Sequence, residues 1–304
     1  MKTGTEKGAA FGCMQWGGRA DESASRAMFD ACLTAGVTHF DTANGYTEGA
    51  SETLLGRFGG PLRERLFIAT KVGYDGGAGR ANLQTQFDGS RKRLGMDAVD
   101  LLYLHRFDPA TPLEETLETF ARLQSDGLIR QIGLSNFAAW QVMKAQAVVA
   151  RLGTRIDAIQ PMYNLVKRQV EVELLPMAAD QGIAVFSYSP LGGGLLSGKY
   201  ATGGEGRLSV DDRYATRYGQ PAMHAAATGL AALAAELGIP AATLAVAWVM
   251  AHPLRPNPIL SARNVEQLFS SLAALDLTLD PALYARLSAL YPAPPPATDR
   301  LEEA

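Results

Sequence analysis

Eight short apolar runs recur along this chain of 304 residues, and the segments between them show helical spacing. The runs cover 10–14, 37–40, 66–71, 99–105, 131–136, 158–160, 183–188 and 258–260. Most are continuously apolar rather than alternating, which is the pattern of strands covered on both faces. Helices are expected at 23–35, 51–58, 81–94, 113–126, 138–150, 170–180, 222–237, 241–251 and 264–274. In the first of them Ala27, Met28, Ala31, Cys32 and Ala35 recur at three- and four-residue spacing, and Gly36 supplies a stop. Strand and helix in alternation build a parallel sheet, and eight repeats close it. The fold expected is therefore α/β, a single (β/α)8 TIM barrel over residues 1–304 with two extra helices and a long loop, 192–220, after strand 7. A doubly wound open sheet would want a Gly-x-Gly-x-x-Gly turn after an early strand. The comparable cluster here, Gly192, Gly193 and Gly194, follows the seventh strand instead.

Composition agrees with a sizeable core, with 47% hydrophobic and 19% charged residues. A net charge of −3 without a basic block argues against nucleic acid or an acidic membrane surface as partner. No segment near the N-terminus has the basic-then-apolar form of a signal peptide. The most apolar stretch, 239–251, holds Pro240 and Thr243 and is too short to span a bilayer. Cys13 and Cys32 read as small core residues in a reducing compartment. The expectation is a cytoplasmic protein acting on small molecules. A proline-rich tail from 292 onward is expected to be loosely held.

Barrels of this kind place chemistry at the C-terminal ends of their strands. Those ends carry, in order, Asp41, Lys71, His105, Ser135 with Asn136, Gln160, and Tyr188 with Ser189. The strand interiors are apolar, so a polar residue at nearly every end is a pattern of its own. Tyr46 follows the Asn44, Gly45 turn just beyond Asp41. A phenol acts as an acid near neutral pH only if its pKa falls from about 10, and a neighbouring ammonium does that. Lys71 is the candidate, with Asp41 holding it charged and in place. His105 is placed to donate to a substrate oxygen or to orient it. Such a set moves a proton at the oxygen of a carbonyl or an alcohol. The histidines His39, His105, His224 and His252 are not spaced as metal ligands, so no metal is expected. The reaction that goes with this proton is hydride transfer, which needs a cofactor.

Taken together, these motifs resemble the aldo-keto reductase family over nearly the whole chain, with similarity to its potassium-channel β-subunit-like branch. The resemblance rests on Phe40, Asp41, Thr42, Ala43 and Tyr46; on Ala69, Thr70 and Lys71; and on Leu101, Tyr103 and His105. It continues through Ile132 to Phe137, through Gln160, Tyr163 and Asn164, and through Tyr188 to Leu191 with Leu195, Gly198, Lys199 and Tyr200. It implies NADPH-dependent, reversible reduction of aldehydes or ketones without a metal. Tyr46 is then the general acid, helped by Asp41, Lys71 and His105. Ser135, Asn136 and Gln160 would bind the nicotinamide carboxamide, whose donor and acceptor suit such side chains. Tyr188 would stack on the nicotinamide ring. Ser189, Leu191, Gly193 and Lys199 would lie along the pyrophosphate, with Met14 and Pro190 also against the cofactor. The loop after strand 7 would fold over it.

At the adenosine end the resemblance implies contacts from Ser261, Arg263 and Gln267, with Arg263 pairing with a 2′-phosphate at a helix start. Ser261 stands where a glycine is common, and Ser270 and Ser271 stand where a Glu-Asn pair often holds adenine, so fewer adenine contacts are expected. Family members usually plug the barrel bottom with an N-terminal hairpin; the ten mostly polar residues before Phe11 imply a shortened or missing plug. Two rivals compete with the reductase: an aldolase using Lys71 as a Schiff base, and an NADPH-binding regulatory subunit that turns over slowly. Trp16, Tyr74, Phe107, Phe137, Tyr214 and Tyr218 are candidates for an apolar substrate pocket.

Overall fold

The computed structural model describes residues 7–202, 207–300 and 302. Eight parallel strands close into a barrel in chain order: β1 (Ala10–Gly12), β2 (His39–Asp41), β3 (Phe67–Val72), β4 (Val99–Leu104), β5 (Ile129–Ser135), β6 (Ala158–Gln160), β7 (Ala184–Ser187) and β8 (Asn257–Leu260). β8 returns to pair with β1, Phe11 opposite Leu260, so no sheet edge is left open. This is the expected (β/α)8 barrel.

Alternation along the strands sorts their side chains into two cores. One set points into the barrel: Ala10, Phe67, Ala69, Leu101, Tyr103, Ala158, Phe186 and Ile259 pack together there. The other set, including Phe11, Phe40, Ile68, Leu102, Leu104, Ile132, Leu134 and Ile159, packs outward against the helices. Asp41, Lys71, Ser135 and Gln160 have the inward parity of Ala69, Tyr103, Gly133 and Ala158. They therefore sit on top of the inner core at the C-terminal rim. Gly133 is required at its place, since a Cβ there would lie 2.4 Å from the Tyr103 ring.

The helices are α1 (Glu22–Thr34), α2 (Ala50–Gly59), α3 (Arg80–Leu94), α4 (Leu113–Ser125), α5 (Ala139–Arg151), α6 (Leu174–Gln181), α7 (Arg207–Val210), α8 (Asp212–Tyr218), α9 (Pro221–Leu237), α10 (Ala241–Met250), α11 (Val265–Leu272) and α12 (Pro281–Ser288). Short polar caps start several of them: Asp21 accepts from the Ala24 N–H and Asn264 from the Gln267 N–H. The extra pair α9 and α10 falls between β7 and β8, as expected. No single described helix is long and apolar enough to cross a membrane.

Three features differ from the sequence expectation. The helix expected over 170–180 is instead a 3-10 turn, Gln169–Glu171, followed by α6. Pro176 explains the break: it lacks an N–H and its ring opposes the carbonyl four residues back, so it fits only a first turn. Helix α12 was not foreseen, although Asp280 caps it and Pro281 opens it. The loop after β7 is not structureless, because α8 lies within it. The expected lack of an N-terminal plug falls mostly outside the described residues; no described residue before Ala10 is in a strand. From 289 to 300 the chain has no helix or strand, and Arg168 holds its start through the carbonyls of Ser288 (3.1 Å) and Tyr291 (2.9 Å).

Candidate active site

The centre of the rim is Lys71, completely buried. Its ammonium donates to Asp41 Oδ1, to the carbonyl of Thr42 at 2.7 Å and to the Tyr46 hydroxyl at 3.4 Å. A buried cation is tolerated only when its donors are used and its charge is paired, and both conditions are met here. The second Asp41 oxygen accepts from Gln160 Nε2 at 2.8 Å. Burial alone would pull the ammonium down, but Asp41 and Tyr46 outweigh it and hold Lys71 above its usual pKa. Burial likewise pushes the Asp41 carboxyl up, against the pull of Lys71 and Gln160.

Tyr46 departs from expectation in one respect. Lys71 does draw the phenol down, but burial is the larger influence and leaves it above the ordinary tyrosine value. The group is therefore a protonated phenol beside a cation, not a phenolate in waiting. The His105 ring meets that of Tyr46 edge-on, 5.8 Å between centroids at 82°. Burial, with the charges of Lys71 and Arg106, holds its imidazole down at about 3, so it is neutral. Its Nδ1 is buried without a protein partner.

A cavity of about 970 Å³ opens above this cluster. All of the expected catalytic and cofactor residues line it except Lys71, which lies behind Asp41 and Tyr46. Near Tyr46 the wall is Ser135, Asn136, Gln160 and Tyr188, already linked to one another. Ser135 Oγ donates to the Gln160 carbonyl (3.1 Å), Asn136 Nδ2 to the His105 carbonyl (2.9 Å), and the Tyr188 hydroxyl to Asn136 Oδ1 (2.7 Å). Asn136 and Ser189 take left-handed backbone angles, φ 59° and 60°. Such residues are uncommon and gather at functional sites. Further along are Met14, Ser189, Pro190, Leu191, Gly193 and Lys199, then Ser261, Arg263 and Gln267, with Ser270 and Ser271 at the far end. Gly193 has φ 67°, and a Cβ on it would lie 2.6 Å from the Tyr214 ring, so only glycine fits under α8.

Of the aromatics expected around a substrate pocket, Tyr74 and Tyr214 line the cavity. Trp16 does not: it is fully buried among Phe11, Phe29, Phe40 and Phe58. Phe137 packs edge-on against Phe107, and Tyr218 is buried with its hydroxyl accepting from Asn164 Nδ2 at 3.3 Å. The sequence reading missed the Thr42 carbonyl and four arginines in the wall, Arg19, Arg106, Arg213 and Arg217. Arg106 was within reach of it, as the residue after a strand-end histidine. Arg213 and Arg217 depend on the path of a loop that sequence alone leaves open.

A closed parallel barrel with a buried lysine, an acid and a phenol at its C-terminal rim defines a narrow class of oxidoreductase-like proteins. The aldo/keto reductase family profile matches residues 10–292, and the chain belongs to that family. It is 35% identical to the uncharacterized oxidoreductase YrpG of Bacillus subtilis (strain 168), over 93% of this chain and 92% of the relative. It is also 35% identical to the aflatoxin B1 aldehyde reductase member 2 of Rattus norvegicus, over 91% and 82% of the two chains. A probable voltage-gated potassium channel subunit beta of Oryza sativa subsp. japonica is 33% identical over 93% and 92%. Membership makes carbonyl reduction the general chemistry of this fold and site.

Proposed function

We propose that the protein reduces aldehydes or ketones to alcohols with NADPH, and that Tyr46 gives the proton. The observation that carries this is the buried chain from Asp41 through Lys71 to the Tyr46 hydroxyl, which ends in the cavity beside a neutral histidine. A carbonyl oxygen within reach of Tyr46 receives its proton as the carbonyl carbon is reduced. Lys71 then stabilises the phenolate left behind, and Asp41 keeps Lys71 in position. Neutral His105 orients the same oxygen. General acid catalysis of this kind contributes roughly 10² to 10⁴-fold.

The residues present fit a dinucleotide. A cavity of about 970 Å³ is at the upper end of small-molecule sites. The glycine turn at Gly192, Gly193 and Gly194 brings bare backbone to its wall, and Arg263 stands at the start of α11 where an anion is favoured. When bound, NADPH supplies the hydride. Tyr188, Ser135, Asn136 and Gln160 would hold its nicotinamide end, Lys199 and the glycine turn its pyrophosphate, and Arg263 with Gln267 its phosphorylated ribose.

The test is steady-state oxidation of NADPH by wild-type protein with a panel of aldehydes, repeated with Tyr46→Phe. Turnover should fall by at least about a hundredfold in the variant while NADPH still binds. Undiminished turnover in Tyr46→Phe would remove the proton from its proposed source. The rice relative, named as a probable channel subunit, favours a second reading as a slow NADPH-binding regulatory subunit. Tight NADPH binding with no steady-state turnover on any aldehyde would select that reading.

A further inference from the structure

Among the described residues other than glycine, Thr47 and Glu48 are a consecutive pair with left-handed backbone angles, φ 48° and 55°. They directly follow Tyr46 and, with Gly49 at φ 91°, make the short turn that leads into α2. A β-branched residue in this region is a steric outlier, and Thr47 is the one β-branched residue among the described non-glycine residues that adopt it. Glycine would make the same turn without that strain. Such strain persists only where the surroundings over-determine it, and it gathers at functional sites.

The surroundings of Thr47 use both of its branches. The hydroxyl donates to the Trp16 carbonyl at 2.7 Å and accepts from the Ser51 N–H at 3.1 Å. The methyl lies against Gly18, where a Cβ would come within 2.7 Å of it. Ser51 is buried, and its one hydroxyl proton goes to the Cys13 carbonyl at 2.8 Å. That leaves its oxygen as acceptor for the Thr42 hydroxyl, also at 2.8 Å. Thr42 in turn gives its carbonyl to Lys71. Behind Tyr46, then, the turn after β1, the end of β2 and the start of α2 are tied into one polar cluster. On the other side of Tyr46, its N–H donates to the Ala43 carbonyl at 3.1 Å, and the Asn44 N–H donates to the Lys71 carbonyl at 3.1 Å. The contact between the Tyr46 hydroxyl and Lys71, at 3.4 Å, is long for a hydrogen bond, so the place of the phenol depends on the backbone that flanks it.

We propose that Thr47 is a positioning residue, whose hydroxyl holds the left-handed turn in the form that keeps the Tyr46 hydroxyl against Lys71. This rests on Tyr46 as the proton donor of the reduction proposed above. Thr47 is not part of the cavity wall and acts through Tyr46. The leverage is large, because a misplacement of about 1 Å at a reacting group costs roughly a hundredfold in rate.

The experiment measures kcat, and KM for an aldehyde and for NADPH, in wild type, Thr47→Ser, Thr47→Val and Thr47→Gly. Valine keeps the shape and the methyl and loses the hydroxyl; glycine also relieves the backbone strain; serine keeps the hydroxyl. In Thr47→Val and Thr47→Gly, kcat should fall by roughly 10 to 100-fold with both KM values within about twofold of wild type, and Thr47→Ser should stay within about threefold. Added to Tyr46→Phe, Thr47→Val should lower the residual rate by no more than about twofold, since the hydroxyl it positions is already gone. Full kcat in Thr47→Gly, a loss confined to KM, or an equal loss with and without the Tyr46 hydroxyl would overturn the positioning role and leave the reductase reading standing. A second arm needs no turnover. In NADPH-loaded protein carrying meta-fluorotyrosine, the fluorine NMR signal that disappears in Tyr46→Phe is titrated with pH. Burial raises the Tyr46 phenol and Lys71 lowers it, so a ring that leaves Lys71 changes its midpoint. The midpoint should move in Thr47→Val and Thr47→Gly and return in Thr47→Ser. An unchanged midpoint in both overturns the role whether or not any aldehyde reacts. A moved midpoint in a protein that reduces no aldehyde supports the role, and only the reductase reading fails. If Thr47→Val does not fold, Thr47→Gly and Thr47→Ser carry both arms.

Discussion

At the scale of single residues the active chemistry depends on which groups carry protons at working pH. His105 is held at about 3 and so stays neutral from mildly acidic to alkaline solution. Tyr46 lies above its ordinary value and stays protonated over the same range. The proposed reduction needs the protonated phenol, so its rate is expected to be level between about pH 5 and 9 and to fall only beyond that, as Tyr46 ionises. An acid limb centred near 6.5 in kcat for aldehyde reduction would show that a charged His105 matters after all. At the other end of the cavity, Arg263→Ala should raise KM for NADPH by more than about tenfold and scarcely change that for NADH. Equal effects on the two would take Arg263 off the 2′-phosphate. Asp41, Lys71 and Gln160 were legible in sequence because each interrupts an apolar run at a strand end. The Thr42 carbonyl that takes the third Lys71 contact was not, since a backbone acceptor leaves no mark on residue type. The net direction of Tyr46 was also out of reach, because it turns on how much water the phenol loses.

At the scale of elements, the strands were readable to within a residue or two, for a physical reason. Both faces of each strand are covered, so an apolar run and a strand coincide. Helix limits were harder wherever a proline or a cap decided them. Pro176 delays α6, and Asp280 with Pro281 starts α12 in a stretch where no strong apolar period announces it. Close approaches between helices are invisible in sequence except as glycines of unknown purpose. Gly56 of α2 is such a case: a Cβ there would lie 2.2 Å from the Leu94 carbonyl oxygen at the end of α3. The obstacle is backbone, so it cannot rotate away. Gly56→Ala should therefore cost about 1–3 kcal/mol of unfolding free energy, despite alanine's better helix propensity. Chemical denaturation would check this, and an unchanged or higher midpoint would mean that α2 and α3 can separate freely. The covering element α8 shows the converse. Gly193 and Tyr214 had both been singled out in the sequence, but their mutual contact follows only from the folded path of the loop.

At the scale of the whole molecule, the cavity is a shared product of the barrel. Its wall takes Gly12 from β1, Asp41 from β2, Ser135 from β5, Gln160 from β6, Ile259 from β8, and residues from α8, α10 and α11. β1 and β8 are far apart in sequence yet hydrogen-bonded to each other, so the cavity exists only when the barrel is closed. A ligand that fills it binds the folded state and not the unfolded chain, and must stabilise the whole by mass action. At a hundred times its dissociation constant NADPH should add about 2.7 kcal/mol. For a chain of this length that corresponds to an increase in melting temperature of about 5 °C. NADH at the same concentration should give less if Arg263 holds the 2′-phosphate as proposed, because it would then face a ribose hydroxyl instead. The comparison separates binding from catalysis, since no aldehyde is present. Equal shifts from the two cofactors would reject NADPH preference, and no shift from either would reject the cavity as a dinucleotide site, whatever the family resemblance implies. In Arg263→Ala the NADPH shift should shrink to that of NADH. In Tyr46→Phe it should persist, because in the proposed role the phenol hydroxyl acts on the substrate and does not hold the cofactor.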